Sequence, residues 1–133
     1  MKKVVGMFLV MNVVLSSVVL GADKKPAVKV VPSTPALLAK GKAAFAINCA
    51  ACHGDNLDGN SPAAAALNPK PRNFKVDAFK GGEDAASVFT TITGGLMVDG
   101  KPTTMVAFGH LPVEDRWGLV HYVLSVRPKK AKK

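Results

Sequence analysis

The chain contains only two cysteines, Cys49 and Cys52, and a histidine, His53, follows the second one directly. Thiols three residues apart on a helical turn point to the same side, so both can bond to one edge of a flat molecule. The imidazole of the next residue then lies over the face of that molecule and can bind a metal at its centre. This Cys-Ala-Ala-Cys-His segment has the attachment signature of c-type haem, fixed by two thioethers and one axial bond.

Three other uses of such a cysteine pair fit this chain less well. A disulfide across a two-residue loop stabilises little, because the gain grows with the size of the closed loop. A thioredoxin-like pair requires a βαβ frame, which the sequence does not show. A structural zinc site needs four ligands in characteristic spacings, and His110 and His121 stand 11 residues apart.

The first 22 residues have the layout of an export signal. Lys2 and Lys3 precede an uncharged apolar run over 4–20, and small residues stand before Asp23. Cleavage there would release the rest into the periplasm, which fits a haem attached outside the cytoplasm. The alternative is an uncleaved membrane anchor, because a predominantly apolar run of 17 residues reaches the lower end of the spanning range.

Cap residues mark the start of two helices. Thr34 as N-cap, with Pro35 at the first helical position, predicts a helix that runs up to the cysteine motif. Asp84 is a good N-cap for a later helix, which two glycines end after Thr93. Between them we expect only a short alanine-rich turn at 63–67.

The last helix is predicted from Pro112 to about Val126, because its apolar residues share one stripe, namely Val113, Trp117, Val120 and Leu124. A long loop over 96–111 precedes it, and the basic segment from Arg127 onward is expected to be frayed. No alternating strand pattern exceeds three or four residues. The sequence therefore predicts one all-α domain with large loops.

Motifs along most of the chain after the signal resemble those of one family: Gly41 and Phe45, Cys49–Gly54, Pro62, Pro69–Phe74, Met105–Phe108 and Leu111–Tyr122. The family is the small class I cytochromes c, and the likeness is closer to their bacterial periplasmic branch. The resemblance covers about 37–126. It implies a small cytochrome c fold, with three to four helices and long loops around one covalently bound haem c.

Together with the charge and composition pattern, the resemblance divides the chain into a signal peptide (1–22), a linker (23–33), a cytochrome c domain (34–127) and a basic tail (128–133). In this family the first and last helices cross at close range, and a glycine in the first lets an aromatic residue of the last approach. Carried over, Gly41 and Phe45 would contact Trp117 and Tyr122.

After removal of the signal, four side chains could bind the metal opposite His53: Met97, Met105, His110 and His121. The resemblance assigns this role to Met105, which occupies the place of the family's axial methionine. The other three side chains, and an open position, remain as alternatives. Ligation by His and Met raises the reduction potential relative to two histidines and leaves no position for a substrate. We therefore expect an electron carrier rather than an enzyme.

Two further haem contacts follow from the resemblance. Pro62 matches the proline whose carbonyl accepts a hydrogen bond from the axial histidine, although the family usually has Gly-Pro where this chain has Ser61-Pro62. Such a bond fixes the imidazole and tunes the metal. Arg72, together with Asn73, is expected to reach a haem propionate.

The charge of the chain favours acidic redox proteins as partners. Without Lys2 and Lys3, the 18 Lys and Arg residues become 16, against 9 Asp and Glu. Such an excess steers an acidic partner to its docking site, and an export signal argues against nucleic acid. The lysines expected around the haem edge are those of the tail and Lys40, Lys42, Lys70, Lys75 and Lys101.

Two rival functions remain open. The chain could be a dedicated cytochrome subunit of a larger periplasmic oxidoreductase rather than a free monomeric carrier. It could also hold a catalytic or gas-sensing haem with an open position, although the haem motif of the cytochromes c prime lies near the C-terminus and here it follows the first helix.

Overall fold

The computed structural model describes residues 28–128. This part of the chain forms four α-helices: α1 (Pro35–Asn48), α2 (Ala50–His53), α3 (Ala85–Gly94) and α4 (Val113–Ser125). A 3₁₀ turn at Ala63–Ala66 and an antiparallel pair of two-residue strands, β1 (Met97–Val98) and β2 (Lys101–Pro102), complete the regular structure. The predicted all-α fold with long loops is confirmed. The predicted signal, the start of the linker and residues 129–133 lie outside the described range.

Side-chain caps start α1 and α3 where the sequence predicted. The hydroxyl of Thr34 accepts a hydrogen bond from the Leu37 amide at 3.1 Å, and Pro35 occupies the first turn of the helix. The Asp84 carboxylate accepts one from the Ser87 amide at 2.9 Å. Each cap satisfies a backbone N–H that has no partner inside its helix.

Helices α1 and α4 cross at two glycines. A Cβ at Gly41 would overlap the backbone carbonyl of Gly118, and a Cβ at Gly118 would lie 2.7 Å from the Gly41 amide nitrogen. The expected contact of Phe45 with the last helix is present, because its ring meets that of Tyr122 at 5.4 Å between centroids. Gly41 thus lets the backbones of α1 and α4 touch, whereas the sequence predicted that it would let an aromatic side chain approach.

Trp117 of α4 packs on α3. Its ring stacks on Phe89 at 4.3 Å between centroids, and it is 3% exposed. Arg116 reinforces the same interface, since it donates to the Thr93 hydroxyl at 2.8 Å and lies 5.0 Å over the Phe89 ring. Of the apolar stripe predicted on α4, Trp117 and Val120 are buried, but Val113 in the first turn is 54% exposed.

The described end of the predicted linker lies against α4. A ring nitrogen of His121 is 2.8 Å from the Val31 carbonyl oxygen, and Val28 packs against the core. The hairpin of β1 and β2 was not predicted, because two-residue strands are too short to leave an alternating pattern. No helix within 28–128 has both the length and the apolar character needed to cross a membrane.

Candidate functional site

A cavity of about 550 Å³ lies between the end of α1, the inner face of α4, the hairpin and the segment at 67–74. This volume is within the range of small-molecule and cofactor sites. Its walls are mostly apolar and include Phe45, Ile92, Phe108, Leu119 and Val123. The predicted site residues Cys49, Cys52, His53, Arg72 and Met105 all line it, whereas Pro62 does not.

Helix α2 positions the cysteine motif on the cavity wall. Cys49 caps the helix, and the amides of Cys52 and His53 both bond to its carbonyl, at 3.2 and 2.9 Å. Gly54 ends the helix with a φ of 76°, a conformation that glycine adopts without strain. One turn of helix therefore brings both thiols and the imidazole to the same cavity.

Burial controls the protonation of these groups. It raises the pKa of the Cys49 thiol to about 11, and the neighbouring Cys52 adds to this effect. Burial also lowers the pKa of His53, and a hydrogen bond to the Arg72 carbonyl opposes this only in part. A neutral imidazole is the form that binds a metal.

The backbone carbonyl of Arg72, not that of Pro62, is the partner of His53. Nδ1 of His53 lies 3.2 Å from the Arg72 oxygen, so Nδ1–H donates and Nε2 keeps its lone pair for a metal. The predicted role of Pro62 is therefore corrected. Pro62 is exposed and precedes the 3₁₀ turn, while Ser61 ties this segment to the motif through a 3.0 Å bond from its hydroxyl to the Cys52 carbonyl.

Of the four side chains considered as second axial ligands, Met105 alone lines the cavity. It is partly buried and packs against the core. Met97 lies on β1 and is 54% exposed, and His110 is exposed as well. His121 is engaged by the Val31 carbonyl.

Gly95 lets the backbone at Met105 approach the end of α3. Its φ is 79°, and a Cβ there would lie 3.0 Å from the Met105 carbonyl oxygen. The Leu96 amide donates to that same oxygen at 3.2 Å. Gly95, the C-cap of α3, thus also places the methionine loop over the cavity.

The cavity is lined by four cationic side chains and by no carboxylate within the described residues: Lys70, Arg72, Lys80 and Lys101 supply the charge. Lys70 and Lys101 were expected near the haem edge, and Lys80 was missed. Lys42 and Lys75 are exposed but do not line the cavity. Lys40 is instead engaged by Glu114 at 2.6 Å, and that contact raises its pKa.

The residues of this cavity fit a haem. Two thiols on one helical turn match two vinyl groups, and apolar walls with an excess of positive charge match a porphyrin that carries two propionates. His53 and Met105 supply one imidazole and one thioether, a ligand pair that haem iron accepts. Residues 28–128 contain no group of three or more His, Cys, Asp or Glu side chains placed to hold a metal ion directly.

Comparisons with known proteins bear on the family and the fold of the chain. The family model described as Cytochrome c matches residues 38–127. Among solved structures, a chain of the reducing HAO-like protein complex of Kuenenia stuttgartiensis matches with 30% sequence identity and a TM-score of 0.65. The match covers 78% of this chain and 51% of that one, so this chain spans about half of its length. No curated protein matched.

Proposed function

Because the chain belongs to the cytochrome c family, we propose that it transfers single electrons between redox partner proteins through a haem c bound covalently at Cys49 and Cys52. The observation that carries the proposal is that one cavity brings together both thiols, His53 and Met105. A bound haem supplies a one-electron ferric/ferrous couple.

Each of these side chains has a separate task. The thiols of Cys49 and Cys52 would hold the haem through thioether bonds to its two vinyl groups. His53 would bind the iron through Nε2, and the Arg72 carbonyl holds the imidazole at Nδ1. Met105 would supply the second ligand, a soft thioether that favours the reduced metal. Apolar residues such as Phe108 and Leu119 exclude water from the cavity.

The lysines at the cavity guide anionic partners to the haem edge. Lys70, Lys80 and Lys101 are exposed and line the cavity. Oriented positive charge raises the rate of encounter with an acidic protein more than it raises affinity. Interfaces of this kind are small and short-lived, as an electron carrier requires.

Replacing Lys80 by glutamine is expected to slow oxidation of the reduced protein by the hexacyanoferrate(III) anion about threefold at low salt. A cationic cobalt complex should react slightly faster. Both effects should vanish at ~1 M salt, where the screening length falls to about 3 Å. Stopped-flow absorbance measures these rates.

Lys40→Gln is the matched control, because it removes the same charge from a lysine that Glu114 engages outside the cavity lining. We expect Lys40→Gln to slow oxidation by hexacyanoferrate(III) by less than half the amount that the Lys80 variant does. Equal rates for the two variants at every salt concentration would contradict steering by the cavity lysines.

The alternative function is that of a dedicated cytochrome subunit of a larger periplasmic oxidoreductase. It is supported by the solved structure above, which is described as part of a protein complex. Both functions use the same haem, and they differ in whether the partner stays bound. Co-purification of the exported protein with a large subunit in fixed stoichiometry would favour the alternative, and a monomer on gel filtration would favour the free carrier.

Export to the periplasm forms part of the same proposal. It is supported by the charge and apolar pattern of residues 1–22. The mass of the mature chain distinguishes a cleaved signal from a retained anchor, because cleavage after residue 21 or 22 removes the whole apolar run.

A further inference from the structure

Arg127 binds α4 to the segment at 74–83. Its guanidinium donates to the Asp77 carbonyl at 2.8 Å and to the Phe74 carbonyl at 3.2 Å. It also forms an ion pair with Glu83 at 2.7 Å, and its side chain is only 16% exposed. The basic sequence around Arg127 predicted a frayed segment, but Arg127 has three partners on one loop.

A series of rings leads from this guanidinium to His53. Arg127 lies 4.2 Å over the centroid of Phe79. Phe79 meets Phe74 edge to face at 5.6 Å, and Phe74 stacks on the imidazole of His53 at 4.3 Å with an interplanar angle of 24°. The loop held by Arg127 therefore forms one side of the surroundings of His53.

The Arg72 carbonyl is held between two supports. On one side Gly59 approaches it so closely that a Cβ there would lie 3.1 Å from the Arg72 oxygen. On the other side Phe74 donates its amide to the Leu57 carbonyl at 2.9 Å, while its own carbonyl is bound by Arg127. Movement of residues 74–77 would therefore pull the Arg72 oxygen away from Nδ1.

We propose that Arg127 is a positioning residue for His53: it holds the segment at 72–79 so that the Arg72 carbonyl stays on Nδ1–H and water stays out. The proposal rests on the proposed function, in which His53 binds the haem iron. A hydrogen bond to Nδ1 fixes the orientation of a ligating imidazole and raises its basicity. Arg127 contacts neither the imidazole nor the iron, and acts through the loop.

Exchange of the His53 Nδ1 proton with water tests this role. In the reduced holoprotein, followed by NMR, exchange should be at least about tenfold faster in both Arg127→Gln and Arg127→Lys, because each loses charge-assisted hydrogen bonds that close the loop. Lysine keeps the charge but lacks the planar fork of donors. A faster rate in Arg127→Lys therefore reflects geometry and not charge, and this conservative variant keeps the test available if the glutamine variant is poorly folded.

Arg116→Gln is the matched control on the same helix. Arg116 makes two hydrogen bonds and, like Arg127, lies over a phenylalanine, but its partners are Leu111, Thr93 and Phe89. Its variant should exchange within about twofold of the wild type. Equal exchange rates in both Arg127 variants and in Arg116→Gln would overturn the positioning role of Arg127 but leave the proposed ligation by His53 untouched. A wild-type His53 resonance without the shift imposed by a bound haem would instead overturn the proposed ligation, and this role with it.

Discussion

Met105→Ala is expected to abolish the weak absorption band near the red end of the oxidised spectrum and to lower the reduction potential on the order of 0.2 V. The thioether of Met105 lines the cavity that also holds His53. Its loss removes the soft ligand that favours the reduced iron and leaves a position that added imidazole can occupy. Absorption spectroscopy and potentiometric titration of the exported protein measure both effects.

Met97→Ala is the matched control for this prediction. The chain offers the same residue type eight positions earlier, on β1, with 54% of its surface exposed and no part in the cavity lining. We expect this variant to keep the wild-type band and potential. Loss of the band in Met97→Ala with retention in Met105→Ala would reverse the assignment of the ligand.

Gly41→Ala is expected to destabilise the holoprotein by more than ~3 kcal/mol, at or beyond the upper end of ordinary overpacking effects. The added methyl group would overlap the Gly118 carbonyl, which is backbone and cannot rotate away. The two helices would have to separate, and the contact of Phe45 with Tyr122 would be lost. Thermal and denaturant unfolding of the haem-loaded protein measure the change.

Gly94→Ala controls for the intrinsic effect of replacing a helical glycine. Gly94 ends α3, and a Cβ there meets nothing within 4 Å. Alanine favours the helix over glycine by up to about 1 kcal/mol, so this variant should be neutral or slightly more stable. A Gly41→Ala protein as stable as Gly94→Ala would contradict the close crossing of α1 and α4.

Local chemistry explains what the sequence could predict. Thr34 and Asp84 each accept a hydrogen bond from an amide three residues later, and Pro35 suits the first helical turn, so the starts of α1 and α3 follow from the sequence alone. The spacing of Cys49 and Cys52 likewise predicts haem attachment without any knowledge of the rest of the fold. Gly41 was identified through a resemblance to a family, although its contact proved to be the backbone of Gly118.

Long-range contacts explain what the sequence missed. The acceptor for His53 is a backbone carbonyl 19 residues away, and every residue has a carbonyl, so no side-chain type marks it. Arg127 meets Glu83 across 44 residues, and one arginine beside a lysine-rich end looks like part of a solvated tail. Lys80 lines the cavity only because of how the loop after Phe74 folds.

The mass and colour of the exported protein test the central claim most directly. Intact mass spectrometry of the purified chain, read beside its absorption spectrum, should show the polypeptide plus one haem, with colour that acidified organic solvent does not extract. Replacing both Cys49 and Cys52 by alanine should remove the added mass. A colourless wild type, or a haem that leaves the wild-type chain on extraction, would contradict covalent attachment at this pair of cysteines.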